Sequence, residues 1–86
     1  MAVEFLEVRL YEALWTLPDL RPVERDVLVD LCAGLVEDCL ELAIEHRGRA
    51  VRCAVQLMVS EMNPALDPAV RDDLARMCEV AVVART

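Results

Sequence analysis

Four cysteines and one histidine carry most of the reactive chemistry in this chain: Cys32, Cys39, Cys53, Cys78 and His46. Thiolate and imidazole are the donors of zinc sites and thiol switches, so a thiol- or metal-responsive regulator built on these five is one functional expectation. Spacing weighs against it. Cys32, Cys39 and His46 follow one another seven residues apart in LVDLCAGLVEDCLELAIEH. On a straight helix that interval is about 10.5 Å, too far for two ligands of one ion. There is no C-x-x-C or H-x-x-x-H pattern to bring a second donor close. Reduced cysteines in an intracellular chain pack like small hydrophobes, and packing is the preferred account here. No metal and no cofactor is expected.

The only basic cluster is His46, Arg47, Arg49 and Arg52. Guanidinium groups in such a run could clamp a phosphate or an acidic partner segment. The plainer account is that they offset the negative end of a helix and pair with the many carboxylates. His46 as a general base lacks a companion, since Ser60 is the lone serine, and neither a Gly-rich phosphate loop nor a carboxylate pair in a hydrolytic context occurs. The chain is therefore not expected to be an enzyme.

The formal charge is −7 and the sequence pI near 4.5, with every cationic residue except His46 an arginine. An acidic chain is repelled by phosphate backbones, which disfavours nucleic acid as a partner. Absence of lysine fits a GC-rich coding bias, or selection against ubiquitin acceptors in a viral or short-lived regulatory protein. No apolar run approaches the roughly 18 residues of a membrane span, and no charged leader precedes an apolar stretch. The expectation is a soluble intracellular protein, cytoplasmic or nuclear, with no membrane partner.

The elements that must position these residues are helices. Hydrophobic residues make up 57% of the 86, against roughly 45–50% in ordinary globular chains. A chain this short hides only about 60% of its unfolded surface, so apolar material exceeds what one small core can bury. Aromatics are few (Phe5, Tyr11, Trp15), and the rest is largely Leu, Val and Ala. Pro22, Gly48, NPALDP (residues 63 to 68) and the periodicity between them predict helices at about 2–16, 22–47, 49–62 and 68–84. VAVVA, residues 80 to 84, has strand propensity but no strand to pair with, and reads as the end of the last helix. The fold class is all-α, a compact four-helix bundle-like domain over 1–86, with the third helix most central and the whole expected to be completed by oligomerisation. A histone-like handshake around a long middle helix is the topological alternative.

Laid on a heptad, Leu28, Cys32, Leu35, Cys39, Leu42 and His46 form a core seam. Beside it runs a second stripe of Val29, Ala33, Val36, Leu40 and Ala43, and Asp30, Glu37, Asp38, Glu41 and Glu45 take the remaining side. The seam is assigned to the chain's own core. The second stripe, with Phe5, Val8 and Trp15 of the first helix, is assigned to a partner chain. On that assignment Leu35→Ala should cost about 2–5 kcal/mol, whereas Val36→Glu should leave a helical monomer. The function expected is a non-catalytic protein–protein interaction module, an adaptor, scaffold or inhibitor, that forms a homodimer or joins a heteromeric complex. A virus- or phage-encoded inhibitor of a host protein would have the same features.

Overall fold

Pro22 and Pro68 each stand in the first turn of a helix, where the missing N–H costs nothing and the ring presets the backbone. Asp67 caps the second of these, its Oδ1 accepting from the Ala69 N–H at 2.9 Å. At the first, Glu24 reaches back so that its Oε1 accepts the Arg21 backbone N–H at 2.9 Å. That contact with Arg21 holds the Glu24 carboxyl below the usual range.

The structure is a computed structural model that describes residues 2–86, with side chains from Leu6 onward. It contains four helices, α1 (Ala2–Trp15), α2 (Pro22–Cys39), α3 (Ile44–Met62) and α4 (Pro68–Ala84), and no strand among the described residues. The segment with strand propensity is the last turn of α4. α1 packs on α2 and α4, α3 packs on the same two, and α2 meets α4 across the middle, so α1 and α3 occupy opposite corners. The Cα radius of gyration is 12.0 Å, equal to the about 12 Å expected of a finished globule of this length. The apolar surplus therefore sits on the outside of a filled bundle.

Two expectations about the middle of the chain are corrected. The second helix does not continue to residue 47: it ends at Cys39, and residues 40–43 form a turn in which the Leu42 N–H bonds to the Cys39 carbonyl at 3.1 Å. Gly48, expected as the stop, lies inside α3, where a Cβ would stand 3.5 Å from Glu79 Cγ, an ordinary contact with α4. A turn without glycine or proline was invisible to breaker signals. The turn is held instead by its context: Arg47 Nε donates to the Leu42 carbonyl at 2.8 Å. His46 and Arg47 thus stand in the first turn of α3 rather than the last turn of α2, and there is no long central helix to make a histone-like handshake.

The third helix is also not enclosed. Val51, Val55 and Val59 form its buried line, while Leu57 is 62% exposed and Cys53 is open to solvent. Its polar residues Arg52 and Gln56 face α4, both bonding to Asp72. Leu10, Leu14, Leu28, Leu74, Val29 and Val36 of α2 and the three valines of α3 fill the centre, with no polar or charged side chain buried among the described residues. No described helix is long and apolar enough to cross a membrane.

Candidate interaction surface

Helix α2 buries Leu28, Val29, Cys32, Val36 and Cys39. Successive residues turn by about 100°, so this one arc takes members of both stripes. Val29 and Val36, assigned to a partner, are 0% exposed inside the chain's own core. Of the other residues of that stripe, Ala33 and Leu40 are half-buried and Ala43 lies exposed in the turn after α2. Leu35, assigned to the core, is half-buried at its edge, and Leu42 is largely exposed beyond the helix end. The two stripes are not divided between core and partner, because periodicity locates an apolar sector but not its centre: the sector faces inward midway between them, burying Leu28, Cys32 and Cys39 of the seam together with Val29 and Val36 of the second stripe.

Six of the eleven large apolar side chains exposed among the described residues lie in two places, while Leu42, Ile44, Leu57, Val80 and Val83 are exposed elsewhere. On α1, Val8 is 55% and Trp15 68% exposed. Together with Tyr11 and Glu12 they line one open apolar hollow. Phe5, assigned to the same face, lies outside the residues whose side chains are described. The Arg25 guanidinium sits 4.7 Å from the centroid of the Trp15 ring, a cation–π contact of about 0.5–1 kcal/mol at an exposed site. The Tyr11 hydroxyl donates to Asp26 Oδ1 at 2.8 Å. That bond raises the phenol's pKa, and the nearby charges of Asp30 and Glu7 act in the same direction.

The second place was missed in the sequence. Val23, Val27 and Leu31 repeat every four residues along the outer side of α2, all exposed, and Val23 and Val27 meet Met62 of α3 at a shallow hollow. The signal was present in PVERDVLVDL, residues 22 to 31, as a third apolar line alternating with Asp26 and Asp30. Neither of the two stripes assigned from the sequence includes it.

The five thiol and imidazole groups are divided by the bundle. Cys32, Cys39 and Cys78 are buried between α2 and α4, whereas Cys53 and His46 are exposed on α3. No group of three or more His, Cys, Asp or Glu among the described residues is placed to hold a metal ion. A hydrogen bond to Cys32, then burial, pushes the Cys78 thiol well up and keeps it protonated. Burial and the charge of Asp38 raise Cys39 as well. The bond with Cys78 shifts the Cys32 thiol down instead, and burial at 1% exposure is what keeps reagent from it. A thiol must ionise and be reached to react, so titration of the native protein with an aromatic disulfide should consume Cys53 rapidly and the other three only as fast as the bundle opens. Four rapid thiols, or stoichiometric metal by elemental analysis, would instead support a responsive site.

The basic residues do not converge either. Arg52 is committed to α4, with ion pairs of 3.2 Å to both Asp72 and Glu79, and Asp72 raises its pKa further. Arg47 bonds to the Leu42 carbonyl and to Thr86 Oγ1. His46 and Arg49 remain exposed on α3. The arrangement offers scattered cations rather than an anion clamp. No protein-family model, curated protein or solved structure matches the chain.

Proposed function

We propose that this chain is a non-catalytic protein–protein interaction module, which self-associates or joins a heteromeric complex through apolar helix faces. The observation that carries the reading is the pair of uncovered apolar surfaces, Val8 with Trp15 on α1 and Val23, Val27 and Leu31 with Met62 across α2 and α3. Scattered apolar residues are ordinary on a protein surface, but contiguous ones beside polar rims mark interaction sites. A tryptophan left mostly in water is the residue type most enriched among binding hot spots.

Light scattering coupled to size exclusion, across the micromolar range, tests self-association. Capture from a lysate of the native source, followed by saturation binding of each captured protein, tests the heteromeric form. Either result supports the module; a chain that stays monomeric throughout and binds nothing saturably ends the reading.

Gly34 supplies a further test. It lies within α2 with nothing within 4 Å of where a Cβ would stand, so no neighbour in its own chain requires a glycine. Gly34→Ala should stabilise the isolated chain by about 0.5–1 kcal/mol, a rise of about 2–8 °C in melting midpoint. Weakened self-association in the same variant would place a second backbone against this turn.

A further inference from the structure

We infer that the α1 surface formed by Val8, Tyr11 and Trp15 receives a basic amphipathic helix of another protein. The inference rests on the interaction-module reading and names the partner's chemistry. The three side chains recur three and four residues apart on α1 and line one hollow, an apolar ridge about 10.5 Å long. Two turns of a partner helix, with apolar residues at i, i+3 or i+4, and i+7, match that length.

Charge selects the partner. Glu12 lines the hollow itself, and Asp26, Asp30 and Glu7 all lie close enough to act on Tyr11. The Arg25 guanidinium beside them is stacked on Trp15. A helix with lysine or arginine flanking its apolar stripe would lay cations along this carboxylate rim. A second copy of the chain is the poorer occupant. A two-fold contact sets the same patch against itself, bringing Glu12, Asp26 and Asp30 up to their equivalents in a chain of net charge −7.

Trp15 is the only tryptophan, so its emission reports occupancy directly. The probe is a synthetic peptide of about 18 residues, five helical turns, made of leucine and lysine with the leucines on one face. Two controls accompany it: the same peptide with glutamate for lysine, and a scrambled one with no leucine stripe. With the full chain, the first should shift the Trp15 emission to the blue saturably. Both controls should bind at least about tenfold more weakly, a difference of about 1.4 kcal/mol. Glu12→Lys with Asp30→Lys should weaken the first peptide by a similar factor, as should Val8→Ser. Val80→Ser on α4 should not, and circular dichroism melts confirm that each variant remains folded.

Three results would overturn the inference: equal binding of the scrambled peptide, affinity indifferent to the Val8 and charge substitutions, or a dimer in which Trp15 is already shielded. If the peptide fails while the chain self-associates through Val23, Val27 and Met62, this partner assignment falls and the module reading stands. If the peptide fails and neither self-association nor a saturable partner is found, both fall.

Discussion

Val36→Glu will unfold the protein rather than release a soluble helical monomer. Val36 is 0% exposed and lies in the last turn of α2, in a core that offers no polar or charged side chain among the described residues. An ionised carboxylate placed there has neither water nor a partner, and its desolvation costs several kcal/mol even after relaxation. At about 0.05–0.15 kcal/mol per residue a chain of this size has roughly 4–13 kcal/mol of stability in all. The substitution removes most or all of it. Val27→Glu, on the outer line of α2 where the side chain is partly in water, is the matched control and should melt close to the parent. Circular dichroism melts on the pair decide the matter. A folded Val36→Glu chain with a midpoint near that of Val27→Glu would mean that α2 turns a different face inward.

Leu74→Ala carries the next largest effect. Leu74 is fully buried on α4, which like α2 contacts all three other helices. Truncation leaves a cavity that a bundle held on several sides closes only partly, so the loss should be about 3–5 kcal/mol. For a domain of this size each kcal/mol moves the midpoint by about 4–8 °C, giving a fall of at least about 12 °C. Leu35→Ala, at the half-buried edge of the core, should lose less than half as much. Denaturant melts with unchanged slope would confirm that the difference lies in the native state. Equal losses at the two positions would show that the edge of α2 is packed as tightly as the centre of α4.

The amino-acid sequence alone determined the helical class, the number of helices and the start of two of them. Those features depend on local physics: Pro22 and Pro68 cannot sit within a helix but suit its first turn, Asp67 offers a side-chain cap, and Leu, Val and Ala recur at the helical period. It also bounded the thiol chemistry, because Cys32 and Cys39 are too far apart along one helix to share an ion whatever surrounds them. Tertiary structure decided the rest. The turn at residues 40–43 contains no breaker and exists because α3 must fold back to bring Val51, Val55 and Val59 onto the core. Gly48 is helical because neighbouring α3 residues pack against α4. Which arc of α2 is buried depends on where α1, α3 and α4 stand around it, and a helical period carries no information about neighbours. For the same reason the outer line of Val23, Val27 and Leu31, and the carboxylates that surround Tyr11 from two different helices, become visible only when the bundle is assembled.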